Sequence, residues 1–326
     1  MRFNRFNIKK YGVILLVILF WFFMFWGTNS LIEPKNQHIE GYKKQKDVDV
    51  CFYGSSHAYS NIEPNVLLEQ YGISSYALAC PEQPMSVTYH TMRNSFNLHK
   101  PKVAVVELFM VRTDLEDQYD LERKKNQFSN GVGAFPLSRE KYDAAKEILG
   151  EELKWDGFFY FPMYHENYKK IFENKENEDG VLEQRGFQLV FDSMASKDMA
   201  IPEPETIYNT YTVGAWSEIT DETRNTLEKI RDLCRDNDVQ LLFLVTPYLV
   251  AEDEAAGYSR IWVWAQQEGI SFLDMNNHVD EIGLSWNDDM YDPGHANYYG
   301  AAKNSAWLGA YLLENYALPD RRVDKN

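Results

Sequence analysis

Cysteine is scarce: Cys51, Cys80 and Cys234 are the three in 326 residues, too few and too irregularly spaced for a disulfide framework or a metal motif. No Cys-x-x-Cys, His-x-x-x-His or glycine-rich phosphate loop occurs, so neither a metal nor a nucleotide cofactor is expected. A domain of this length does not need disulfides, and buried free thiols are expected, although Cys51 and Cys80 fall on or beside two strands that could be neighbours. Basic charge is short as well. The chain has 33 Lys and Arg against 49 Asp and Glu, and Arg2, Arg5, Lys9 and Lys10 fall within the first 30 residues, which hold no acid. The rest therefore carries −20, which excludes a phosphate-backbone binder and makes nucleic acid a poor partner.

Only one long apolar run is present. Tyr11 to Trp26 is 16 residues without a charge, extended slightly by Gly27 and Thr28, at the short end of what a bilayer span requires. Aromatics crowd its C-terminal end, and the basic residues precede it, so a membrane span over 11–28 would leave the N-terminus cytoplasmic and the acidic body outside the cell. A cleaved signal peptide is the alternative, but the run exceeds the usual apolar core and no small-x-small site follows Trp26. Residues 1–28 are thus read as basic tip and anchor, 29–46 as a polar stalk, 47–320 as the folded domain and 321–326 as a tail.

With 44% hydrophobic residues the body has ample material for a core. Apolar strand-like runs at Val48–Tyr53, Ser75–Ala79, Lys102–Leu108, Val239–Thr246 and Ile270–Leu273 alternate with helical patterns at Ile62–Tyr71, Met85–Leu98, Asp221–Asn237, Ile261–Glu268 and Ala296–Asn315. That alternation predicts an α/β fold with a parallel sheet flanked by helices. Residues 111–215 break the rhythm, with helical patches at Ser138–Leu149 and Glu166–Asn174, and are expected to form a helical insertion.

Two motifs carry chemistry. Gly54-Ser55-Ser56-His57 ends the first strand and opens a helical stretch, at the sheet edge where parallel α/β proteins bind ligands. Standing alone, the serines would serve equally well as helix caps. Asp292-Pro-Gly-His295 is a turn that can point both side chains into one pocket, with Asp292 fixing the tautomer of His295 so that Nε2 accepts a serine proton. A surface turn is its blander reading. Together they propose a nucleophile, a base and an orienting carboxylate.

These blocks resemble the SGNH (GDSL-like) hydrolase superfamily, over about residues 47–316 without most of the insertion. Gly54-Ser55-Ser56 matches the first block, making Ser56 the implied nucleophile. Asp292-x-x-His295 matches the last, with His295 as base and Asp292 as its orienter. The resemblance implies a flavodoxin-type sheet. The Gly-Ser-Ser variant, the anchor, and Asn297 and Gly300 after the histidine look like a membrane-anchored, cell-envelope branch similar to the teichoic-acid D-alanylation and alginate O-acetylation proteins. That branch implies acyl chemistry on a cell-surface glycan or teichoic acid beside a membrane-bound O-acyltransferase.

The chain departs from the family's second and third blocks, reading Ala79-Cys80-Pro81-Glu82-Gln83 and Glu107-Leu108-Phe109 where an oxyanion-hole Gly and a Gly-x-Asn are usual. Oxyanion stabilisation then falls to backbone N–H groups near Ser56 and at Ala79–Cys80, with Gln83 as a side-chain donor; one lost donor typically costs about 100- to 1,000-fold. His57, Asn297 and His165 (a position the branch places over the site) complete the pocket candidates, with Gly54, Ser55 and Cys80. His38, His90, His99 and His278 show no ligand spacing and are read as surface or core positions. The aromatics of residues 155–168 read as insertion core in preference to a sugar platform. The expectation is an outward-facing serine esterase or O-acyltransferase, its alternative a non-catalytic scaffold or glycan-binding partner of an acyltransferase.

Overall fold

The computed structural model describes residues 5–31, 36–164, 185–201 and 219–322. His165 and the helix expected over Glu166–Asn174 lie outside them. Five strands, Val50–Gly54 (β1), Ser75–Ala79 (β2), Val103–Glu107 (β3), Gln240–Val245 (β4) and Ser271–Asp274 (β5), form one sheet in the order β2-β1-β3-β4-β5. Every pairing is parallel. This is the doubly wound, flavodoxin-type order, with its switch point between β1 and β3. All five expected strands are present with ends within about two residues.

The first three strands are buried throughout because helices cover both faces. Alternate residues of β1 serve opposite cores: Cys51 and Tyr53 join Met85, Leu227 and Ile261, whereas Val50 and Phe52 join Leu67, Leu308 and Leu312. The Asp221–Asp236 helix shows why the pattern is legible. Its buried residues Thr223, Thr226, Leu227, Ile230 and Cys234 recur at helical spacing, and the Thr220 side chain accepts from Thr223 N to start it. All three cysteines are buried and free.

Two segments differ from expectation. The polar stretch read as a stalk contains a helix, Gln37–Lys44, whose Ile39 and Tyr42 are buried in the core; Tyr42 Oη donates to His99 O and Tyr76 Oη to His38 O. The packed body thus begins before residue 47. The insertion is helical at Leu121–Phe128, Arg139–Leu149, Lys154–Phe158 and Tyr160–Tyr164, but residues 185–199 form an irregular strip. The strip runs along the β2 edge, where Ala77 N donates to Arg185 O, and then over the Asp292 loop, where Tyr298 N donates to Val190 O.

The apolar run forms part of a 27-residue helix, Arg5–Leu31. Its stretch Lys10–Asn29 has a mean hydropathy of 2.1 and is exposed from Lys10 to Gly27, Asn29 at its end being buried. At 1.5 Å per residue the helix is about 40 Å long, enough to cross a bilayer.

Candidate active site

The switch point places the first motif. Gly54 closes β1 with φ +144°, and a Cβ there would stand 2.9 Å from Glu107 Cβ at the end of β3, so only glycine fits. Ser55 is fully buried and caps the short helix Ser56–Asn61. Its Oγ accepts from His57 N at 3.4 Å and donates to Glu107 Oε2 at 2.8 Å, and its N–H reaches the same oxygen at 3.3 Å. The cap role thus falls to Ser55 alone, which leaves Ser56 Oγ free to face outward. The Ser56 N–H, on the first helical turn, has no hydrogen-bond partner among the described residues, and the Cys80 N–H lies just past β2.

The second motif is built around Asp292. Its Oδ1 accepts from Gly294 N at 2.8 Å and His295 N at 3.0 Å, a turn held by its own side chain. The same carboxylate lies 2.9 and 3.0 Å from His295 Nδ1, and His295 Nε2 lies 2.7 Å from Ser56 Oγ. With Nδ1–H directed at the carboxylate, Nε2 is the proton acceptor and Ser56 Oγ–H the donor. Burial works to raise the Asp292 pKa, but the hydrogen bonds from the His295 ring and the two backbone N–H groups outweigh it, so the carboxyl sits below its usual range.

Two side chains that sequence reasoning did not single out secure the pair. Asn61, fully buried at the far end of the serine's helix, accepts from Ala296 N at 2.7 Å and donates to Gly294 O at 3.2 Å and Thr246 Oγ1 at 2.9 Å. It thereby grips the His295 loop on both sides of the histidine. Glu107 lies beneath the serine turn, fully buried, accepting from Ser55 and, at 2.5 Å, from Phe109 N. Burial pushes its carboxyl up to about 7 against these hydrogen bonds and the nearby His295 ring. The lone acid in an otherwise apolar strand was its only sequence signal.

The remaining candidates separate. His57 turns away from the cavity, fully buried, with its ring stacked 3.8 Å from Phe109 and edge-on to Tyr248; burial holds its pKa well below the ordinary value, so the ring is neutral. Gln83 does not face the serine: its Nε2 donates to Thr88 Oγ1 and its Oε1 accepts from the Cys80 thiol. Asn297 is a buried helix cap, accepting from Tyr299 N and Gly300 N and donating to Asp288 O. The Cys80 thiol is buried, which raises its pKa far from thiolate chemistry, so only its backbone remains a site candidate. Phe109 fills the space after β3, and among the described residues no side-chain amide takes an oxyanion position there.

Ser56, Tyr59, Pro81, Gln188, Tyr291 and His295 are among the walls of a cavity of about 280 Å³. Gln188 comes from the insertion strip. Among the described residues, no group of three His, Cys, Asp or Glu is arranged to hold a metal.

The fold and site define the class: a flavodoxin-type α/β protein with Ser, His and Asp in hydrogen-bonded sequence at the switch-point edge. Among solved structures, one from Desulfitobacterium hafniense, titled as belonging to the G-D-S-L lipolytic family, aligns with 81% of this chain and 99% of its own at 10% identity and a TM-score of 0.39. No family model and no curated protein matches the sequence.

Proposed function

We propose that this chain is a serine esterase or O-acyltransferase that handles acyl groups of a cell-surface polymer through an acyl-Ser56 intermediate. One observation carries it: Ser56 Oγ stands 2.7 Å from His295 Nε2, within reach for proton transfer, while Asp292 engages Nδ1. Ser56 Oγ attacks the acyl carbonyl carbon and its proton passes to His295 Nε2, the resulting imidazolium being stabilised by Asp292. The carbonyl oxygen becomes the oxyanion, for which the Ser56 and Cys80 N–H groups are the donors at hand. Collapse expels the alcohol, which takes the proton from His295. Water or a sugar hydroxyl then repeats the sequence on acyl-Ser56 and releases the serine.

The basic tip and apolar helix support an outward-facing body held at the cell membrane. Asn36 follows Leu31 by five residues, so the site side of the body is tethered within about 18 Å of the helix end, close to a membrane-bound O-acyltransferase as acyl source.

A non-catalytic scaffold or glycan-binding partner is the second reading, favoured by the inward-turned Gln83 and by Phe109, which leave backbone donors alone for the oxyanion. A serine-directed fluorophosphonate separates the two. Wild type is expected to be labelled and Ser56→Ala not. An unlabelled wild type, with Ser56→Ala restoring full function to a deletion strain, leaves the scaffold.

A further inference from the structure

The cavity at Ser56 does not end there. It shares Tyr59, Pro81 and Gln188 with a second basin of about 660 Å³, a volume typical of small-molecule sites. The second basin adds Asn36, His38, Asn130, Phe187 and Leu189 to its walls. No Asp, Glu, Lys or Arg is among the described residues lining it. Burial lowers the pKa of His38, so its ring adds no cation at neutral pH. The single carboxylate of the smaller cavity, Asp292, is engaged by His295.

What the basin does present is aromatic surface and neutral hydrogen-bonding groups. The Tyr59 and His38 rings lie 5.9 Å apart, and the Tyr59 hydroxyl and Gln188 side-chain amide have no partner among the described residues. A polyanionic chain seated here would find no counter-ion among the described residues, at a local cost that salt screening does not remove. Sugar hydroxyls, each donor and acceptor, match amide and phenol groups, and apolar sugar faces match the rings.

We infer that the second basin is the acceptor subsite and takes an uncharged sugar residue of a neutral polysaccharide, delivering one hydroxyl past the Tyr59–Gln188 wall to acyl-Ser56. This rests on the acyl-serine reading. The sugar oxygen bonds to the acyl carbon, its proton passes to His295 Nε2, and Ser56 Oγ departs and recovers that proton.

The test uses the full chain in detergent micelles, as Ser56→Ala so that nothing is consumed. Binding of cellotetraose, tetragalacturonate and a glycerol-phosphate tetramer is measured by ligand-observed NMR. The neutral tetrasaccharide is expected to bind at least about tenfold tighter than either anion. Tyr59→Ala, and Leu189→Lys at an exposed position that cannot unfold the domain, are each expected to weaken it about tenfold, with Leu189→Lys also strengthening tetragalacturonate. Equal or tighter binding of an anionic oligomer, no binding of any, or indifference to both substitutions overturns the subsite. Acylation of wild-type Ser56 by p-nitrophenyl acetate, followed by mass spectrometry, is read separately. If Ser56 is acylated but no neutral sugar binds, the subsite fails and the esterase reading stands; if it is never acylated while the sugar binds as expected, the acyl-serine reading fails and the basin is a sugar-binding site but not an acceptor subsite.

Discussion

Glu107 shows what a buried acid does to a site it never touches directly. Its carboxylate accepts from Ser55 Oγ, Ser55 N and Phe109 N and thereby sets the turn that presents Ser56. Its folded pKa is raised to about 7 by burial, above its value in the unfolded chain. From about pH 4.5 to 7 the folded state therefore holds a proton that the unfolded state has released, and stability falls as pH rises through that window, by at most about 3 kcal/mol. Glu107→Gln is expected to abolish this slope, so the difference in unfolding free energy between variant and wild type should change between pH 4.5 and 7.5. Urea melts across that range check it, and a constant difference removes Glu107 as the titrating group.

Asn61 acts on the base side. Removing its carboxamide in Asn61→Ala leaves the buried Ala296 N–H unpaired, at about 1–3 kcal/mol, and frees the His295 loop. The acylation burst with p-nitrophenyl acetate is expected to slow by about 10- to 100-fold with little change in ester affinity, because a displacement of about 1 Å at the base costs that much. An unaltered burst rate in a folded variant would show that the loop holds itself. Asp292→Asn removes the charge that selects the His295 tautomer and is expected to cost about 10⁴-fold in acylation rate, measured in the same assay. Ser56, Asp292 and His295 were legible because each sits in a short local motif whose Gly or Pro announces a turn. Asn61 and Glu107 were not, since their partners lie 235 and 52 residues away and only the fold brings them together.

At the level of elements, strands buried on both faces read directly from the sequence as apolar runs, as β3 and β4 did. The Glu252–Glu268 helix was anticipated only from Ile261, because its first turns are rich in acid and small residues and show no apolar stripe. The six-residue Ser56–Asn61 helix is too short to have a period. The strip 185–199 has no period either, yet it supplies Gln188 to the cavity wall. One glycine seats it. Gly186 has φ +84°, and a Cβ there would lie 2.1 Å from Ala77 O on the edge strand. Gly186→Ala is expected to lift the strip from β2, lowering stability by about 1–3 kcal/mol through backbone strain and the lost Ala77–Arg185 hydrogen bond. Limited proteolysis should then cut within 185–201 before the rest of the domain, and an unchanged cleavage pattern would count against the role of this seat.

For the whole molecule, the arrangement proposed here depends on which side of a membrane the acidic body occupies. Helix Arg5–Leu31 touches the body sparingly: Asn29 Oδ1 accepts from Tyr160 N at 2.9 Å, and Phe25 packs edge-on to Phe159 at 5.1 Å. Its Lys10–Asn29 stretch is otherwise exposed apolar surface, which water would not leave uncovered. On the proposed reading the basic residues before it set the direction by the positive-inside rule. The natural cysteines are all buried, so they give little background with a membrane-impermeant thiol reagent, and single introduced cysteines can report topology. In intact cells Glu152→Cys, on an exposed position of the body, is expected to be labelled, whereas Arg2→Cys is labelled only after permeabilisation. Carbonate washing should leave the full chain with the membrane and release a chain that begins at Asn36. A full chain released by carbonate would favour a cleaved signal. Labelling of Arg2→Cys from outside, with Glu152→Cys protected, would put Ser56 in the cytoplasm and exclude every cell-surface acceptor at once.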